Sequence, residues 1–166
     1  MTKIYKAISS QDAEEAFRII QERCKWLRDK NIEQWRYYTQ WYGAEYFKGK
    51  TLEGKLYVAK SNNEVIGCIV VNDYDEDYWQ NVDQSVALYP KNFATKVGFQ
   101  GVGKTLEQFL VNLAHKHGKR YLRMDCDRTN PELRKRHESN GWICIEECVE
   151  DPEDAHYHAA LYQKEV

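Results

Sequence analysis

Strands and helices alternate along this chain, and the sequence predicts a mixed α/β fold. Three observations carry the prediction. Ser9 and Asp12 form a helix-start signature before apolar residues at helical spacing, Ala13, Ala16, Phe17, Ile20, Cys24 and Leu27. Two β-branched or aromatic runs, Lys55 to Lys60 and Glu64 to Asn72, flank the polar turn Ser61-Asn62-Asn63, as in a hairpin. A glycine-dense turn then runs into a helix whose Leu106, Phe109, Leu110, Leu113 and Ala114 share one face.

Element by element, Lys3 to Ile8 reads as an opening strand, followed by the helix begun at Ser9. Residues Asn31 to Lys50 carry Trp35, Tyr37, Tyr38, Trp41, Tyr42, Tyr46 and Phe47 and read as one or two short helices, with Gly43 as the break. After the hairpin comes Asp73-Tyr74-Asp75-Glu76-Asp77-Tyr78-Trp79, whose default explanation is a solvated loop and whose sharper one is a cation site. A strand follows at Gln84 to Tyr89. The glycine-led helix begins at Gly103 and stops at Gly118, and Arg120 to Cys126 alternates as a strand. Asn130-Pro131-Glu132 starts a further helix, cap then first-turn proline, ended by Gly141. Two strands close the chain, Trp142 to Val149 and His156 to Lys164.

At 166 residues the chain suits a single domain over 1–166 with one site. A net charge of −2 argues against a protein built on nucleic-acid backbones. No run reaches the length of a membrane span and the first residues lack the apolar stretch of a secretory signal, so a cytoplasmic protein with no membrane partner is expected. Five cysteines, an odd number, suit reduced thiols packed as small hydrophobes. Cys144 and Cys148 with His156 and His158 fit no common zinc spacing, and no metal is expected.

Gly98-Phe99-Gln100-Gly101-Val102-Gly103-Lys104-Thr105 matches the phosphate-loop pattern GxxxxGK[ST]. The local physics is an anion site at a helix start, where the first N–H groups lack intrahelical acceptors. A nucleotide hydrolase would need a buried apolar strand before the loop and several βα units after it. Pro90 and two lysines interrupt the preceding segment, and only residues 106 to 166 follow. Tyr121-Leu122-Arg123-Met124-Asp125 would have to supply the magnesium-binding strand end, with an arginine inside it. Phosphate binding is therefore expected, with a P-loop nucleotide-binding protein as the alternative.

The order of these elements resembles the GNAT superfamily of acetyl-CoA-dependent N-acetyltransferases over nearly the whole chain. Phe93-Ala94-Thr95 is similar to the end of that family's fourth strand, Gln100 to Lys104 to its pyrophosphate loop, and Tyr121 to Cys126 to its fifth strand. Asn130-Pro131-Glu132-Leu133 through Gly141-Trp142 resembles its asparagine, short helix and glycine-aromatic ending. The family's loop usually reads Q/R-x-x-G-x-G/A; here the first position falls on Gly98, or else Thr105 takes the last glycine's place.

The resemblance implies a layered α/β fold, a twisted, mostly antiparallel mixed sheet flanked by helices with a splayed central parallel pair. It implies acetyl-CoA as cosubstrate, held by Phe93, Ala94, Thr95, Gly98, Phe99, Gln100, Gly101, Val102, Gly103, Lys104, Thr105 and Asn130. Lys104 reads equally as an ordinary first-turn lysine and Asn130 as a plain N-cap. His137, where the family usually carries a tyrosine, is the candidate general acid, with a packed structural histidine as the other reading. Asp83, or an acidic residue of Asp73 to Asp77, is the candidate base. The acceptor implied is a small-molecule amine or a peptide, the aromatics of residues 37–42 reading as core or as a cage for a cationic acceptor. A homodimer is a further possibility, and a GNAT-like module that binds acyl-CoA with weak catalysis is a second alternative.

Overall fold

In a computed structural model of the chain, residues 1–151 and 157–166 are described. The elements are β1 (Lys3–Lys6), α1 (Ser10–Asp29), α2 (Tyr38–Trp41), α3 (Ala44–Leu52), β2 (Leu56–Ser61), β3 (Glu64–Asn72) and β4 (Ala87–Thr95). They continue with α4 (Val102–Lys116), β5 (Tyr121–Asp127), α5 (Pro131–Ser139), β6 (Ile143–Glu150) and β7 (His158–Glu165). The strands form a seven-stranded sheet in the order β1-β2-β3-β4-β5-β7-β6, mostly antiparallel, with β4 and β5 as the parallel pair. This is the mixed, helix-flanked sheet that the sequence implied. The chain divides into two compact units, Met1–Val71 with Lys91–Phe109, and Asn72–Pro90 with Leu110–Val166.

In the first unit α1 starts where expected. Ser9 Oγ accepts from the Asp12 amide at 3.1 Å, and Ala13, Ala16, Ile19, Ile20, Cys24 and Leu27 are buried along one face. Phe17 is only partly buried at its edge. The hairpin of β2 and β3 turns at Asn62 and Asn63, both left-handed (φ 50° and 67°), the pairing of conformations that a two-residue hairpin turn demands. Gly43 separates α2 from α3, and Phe47 of α3 is fully buried with Leu56 and Val58. Burying each such side chain stabilises the fold by about 1.5–3 kcal/mol.

In the second unit β5 pairs with β7 from Tyr121↔Glu165 to Asp127↔Ala159, and β7 with β6 through two register irregularities. Gly118 (φ 63°) stops α4 and Gly141 (φ 84°) stops α5, with the Lys119 amide bonded to the Ala114 carbonyl and the Trp142 amide to the His137 carbonyl. Trp79, Ala87, Tyr89, Ala159 and Leu161 form the core here.

Three expectations need correction. β4 runs on through Pro90, where the sequence suggested a break; its pairing with β5 covers Ala87 and Leu88, ahead of Pro90, so the missing N–H costs that ladder nothing. α4 begins at Val102, one residue before Gly103. The acidic segment is not simply solvated: Asp75 and Trp79 are buried, and Asp75 Oδ1 accepts from the amides of Asp77 and Tyr78, folding the loop on itself. Of the residues considered for zinc, His156 lies outside the described residues. The described residues hold no group of three or more metal-ligating side chains, and the cysteines are free thiols. No helix among the described residues is long and apolar enough to cross a membrane.

Candidate active site

The glycine loop is assembled from backbone conformation. Gly98 (φ 87°) and Gly101 (φ 77°) are both left-handed, and a Cβ on either would meet nothing within 4 Å. Conformation rather than space therefore calls for glycine, since an L side chain there costs roughly 1–2 kcal/mol. The first helical hydrogen bond of α4 runs from the Thr105 amide to the Gly101 carbonyl at 3.1 Å. The amides of Val102, Gly103 and Lys104 precede it and form the first-turn donors that favour an anion. Gly98, Phe99, Gln100, Gly101 and Lys104 are exposed and Val102 and Gly103 are buried, so the loop faces solvent while the helix start is anchored.

The anchor is Gly67 in β3. A Cβ there would lie 2.9 Å from Val102 Cγ1, 3.1 Å from Leu106 Cδ1 and 3.3 Å from the Ala94 carbonyl. Only a residue without a side chain lets α4 lie this close to the strand. A glycine inside a strand rich in valine and isoleucine was the available signal, and the sequence reading passed over it. The loop entrance is pinned from α1: Arg23 donates to the Thr95 carbonyl and hydroxyl, and the Val97 amide donates to Glu22 Oε1 at 3.2 Å. Lys96 pairs with Glu64, and its ammonium lies 5.9 Å from the Phe99 ring centroid. The Thr105 hydroxyl, which a nucleotide-hydrolysing loop turns towards magnesium, instead donates to the Gly101 carbonyl at 3.2 Å.

In the second unit Asn130 caps α5, its Oδ1 accepting from the Leu133 amide at 3.1 Å. His137 is half-buried, with its ring centroid 6.1 Å from that of Trp142 and 5.8 Å from that of Tyr162. Beside it the buried Tyr162 hydroxyl accepts from Arg134 Nε at 3.0 Å and donates to Glu138 Oε1 at 2.9 Å. Burial pushes the Tyr162 phenol up to about 12, with Glu138 adding to the rise and Arg134 opposing it. No local pattern marks Tyr162, because its partners stand 28 and 24 residues away.

Asp83 is exposed and accepts from the Ser85 hydroxyl at 2.6 Å and the Ser85 amide at 2.9 Å. Those bonds, with Arg123 and Lys119 assisting, hold its carboxyl below the ordinary carboxylate range. It is ionised at neutral pH and a weak base. The Asp83 carbonyl accepts from the buried Arg123, whose guanidinium also bonds Gln163 and the Tyr89 hydroxyl and lies 5.3 Å from the Trp79 ring. Two phenol–carboxylate pairs escaped the sequence reading: Tyr157 donates to Asp125 Oδ2 at 3.0 Å, and Tyr78 donates to Asp151. Burial raises both phenols, which stay protonated.

The model of the acetyltransferase (GNAT) family matches residues 20–142, more than half of the chain. This chain belongs to the GNAT family. It is accordingly an acyltransferase. Its sequence is 23% identical over 122 residues to the uncharacterized N-acetyltransferase YesJ of Bacillus subtilis (strain 168), covering 70% of this chain and 68% of that one. Among solved structures, a GNAT-family acetyltransferase from Listeria monocytogenes superposes with a TM-score of 0.77 at 17% identity, covering 99% of this GNAT chain and 95% of the other. The PaiA N-acetyltransferase of Thermoplasma acidophilum, solved in complex with coenzyme A, gives 0.75 at 16% identity, covering 100% and 99%. At such identities the structural likeness speaks to the fold.

Proposed function

We propose that this GNAT chain is a single-domain N-acetyltransferase that moves an acetyl group from acetyl-CoA to a primary amine of a small molecule or peptide. One observation carries the reading: two left-handed glycines lead exposed backbone into the first-turn amides of α4, a donor array suited to a pyrophosphate. The relative from Thermoplasma acidophilum holds coenzyme A on the same fold, which supports the choice of ligand.

In this reading the phosphates sit over Gln100 to Lys104, held by the first-turn amides of Val102, Gly103 and Lys104 within the loop of residues 98–105, and the exposed Lys104 adds charge attraction. Backbone groups of Phe93 and Ala94 hold the pantetheine arm with Thr95, whose carbonyl Arg23 already engages. Asn130 contacts the coenzyme while capping α5. The neutral amine attacks the thioester carbonyl, the C–N bond forms, and the C–S bond breaks as the tetrahedral intermediate collapses. The departing thiolate takes its proton from His137, and the proton lost by the amine passes to Asp83 through water, a modest contribution given its weak basicity. A cytoplasmic location and a homodimer belong to this proposal as expectations, and light scattering reads the oligomeric state directly.

A weakly catalytic acyl-CoA-binding module is the second reading, favoured by the packing of His137 against Trp142 and Tyr162. Thermal shift with acetyl-CoA, or with Mg²⁺ and ATP, tests the ligand, because a compound bound by the folded state raises Tm. Stabilisation by acetyl-CoA alone is expected; stabilisation by Mg²⁺ and ATP alone would overturn the proposal. Release of free CoA thiol with an amine panel then separates enzyme from binding module.

A further inference from the structure

Inside β4, Asn92 holds a left-handed conformation, φ 53°. Asparagine tolerates that region when its short polar side chain is hydrogen-bonded nearby in sequence. Here the bonds come from far away. Asn92 is 4% exposed, Tyr46 donates its hydroxyl proton to Oδ1 at 2.9 Å, and Nδ2 donates to the Tyr38 hydroxyl at 2.6 Å. The Cys68 thiol reaches the Asn92 carbonyl at 3.7 Å. Tyr42 bridges the two phenols, its ring centroid 4.5 Å from that of Tyr38 and 4.7 Å from that of Tyr46, and Trp35 stacks on Tyr38 at 4.4 Å. The aromatic segment thus ends on a strand backbone.

A left-handed residue in a strand breaks the regular alternation and re-aims every group that follows it. The groups that follow are Phe93, Ala94 and Thr95. We propose that Asn92 is a positioning residue: its carboxamide, clamped between the phenols of Tyr38 and Tyr46, fixes the local turn of β4 and so the direction of the backbone donors and acceptors of residues 93–95. The inference rests on the reading above, in which those three residues hold the pantetheine arm. An amide suits the post because it offers one acceptor and one donor face to two hydroxyls at once.

The test compares full-length wild type, Tyr38→Phe/Tyr46→Phe, Asn92→Gly and Asn92→Ala by two readouts. One is ligand-free hydrogen exchange of a peptide spanning residues 90–97; the other is acetyl-CoA affinity by titration calorimetry. The double phenylalanine variant should exchange faster in that peptide and bind acetyl-CoA about tenfold more weakly, the scale of a lost buried hydrogen bond. Asn92→Gly should bind more tightly than Asn92→Ala, since glycine enters positive φ freely; a role in packing alone would not favour glycine. Wild-type behaviour of the double variant in both readouts, or alanine equal to or better than glycine, overturns the proposal. Should the double variant fail to fold, Tyr46→Phe alone serves. If wild type does not bind acetyl-CoA, the functional reading fails and the exchange data alone decide the clamp: faster exchange supports it and unchanged exchange overturns it.

Discussion

Arg23 of α1 donates from Nε and Nη2 to the carbonyl of Thr95, the last residue of β4, at 3.2 and 2.5 Å. A charge-assisted contact of this kind contributes about 1.5–3 kcal/mol when partly buried. Arg23→Gln should lower stability in urea by about that amount. Acetyl-CoA affinity, read by calorimetry, should fall with it, since the strand end it pins leads into the glycine loop.

Gly98→Ala and Gly101→Ala should each cost roughly 1–2 kcal/mol, because their φ angles of 87° and 77° disfavour a Cβ although the space around them is open. Chemical denaturation measures the loss. A weaker thermal shift with acetyl-CoA should accompany it, as the loop amides lose their common direction.

Gly67→Ala acts differently. Its Cβ would meet Val102 Cγ1 and Leu106 Cδ1 at 2.9 and 3.1 Å, so overpacking by about 1–3 kcal/mol is expected, with the start of α4 pushed off β3. Because the obstruction includes the Ala94 carbonyl as well as side-chain ends, repacking those ends should recover only part of the loss.

His137→Phe should lower kcat by about 10²-fold and remove an ionisation from the pH profile of turnover if the imidazole protonates the thiolate. Unchanged turnover across pH would leave His137 a packing residue between Trp142 and Tyr162. Asp83→Asn is expected to give a smaller loss in kcat/KM, since the hydrogen bonds from Ser85 already weaken its basicity.

Asp12 supplies an acid-stability test. Burial opposes its ionisation, but Lys60 at 2.6 Å and the amide of Ile8 at 3.1 Å outweigh it, so its carboxyl lies below the usual 3.8. A carboxyl lowered on folding contributes stability above its unfolded pKa, and that contribution fades as pH falls through the folded value. Asp12→Asn should therefore destabilise the chain at neutral pH and flatten the acid end of a Tm profile below about pH 4.

Much of the local structure around the candidate site was legible because its signals are local. The glycines from Gly98 to Gly103 announce a turn into a helix, Asn130 followed by Pro131 announces a helix start, and Gly118 and Gly141 announce helix ends. Each depends on a residue's own conformational preferences, which travel with the sequence. Gly67 was equally visible as a letter, yet its meaning depends on Val102 and Leu106, whose approach no local rule specifies.

By itself, then, the sequence determined the order of helices and strands, the hairpin around Ser61-Asn62-Asn63, the glycine loop and the GNAT resemblance. The elements and turns follow from backbone propensity and hydrophobic period, whereas the resemblance rests on the order of the motifs from Phe93 to Trp142. Only the tertiary structure decided that β4 runs through Pro90, that Asp75 folds its own loop, and that the Tyr162 hydroxyl lies between Arg134 and Glu138. It likewise decided that the aromatic residues Tyr38 and Tyr46 close on Asn92. Hydrogen bonds between residues tens of positions apart depend on how the elements pack, and a polar side chain's partner is fixed only when burial removes water as the alternative.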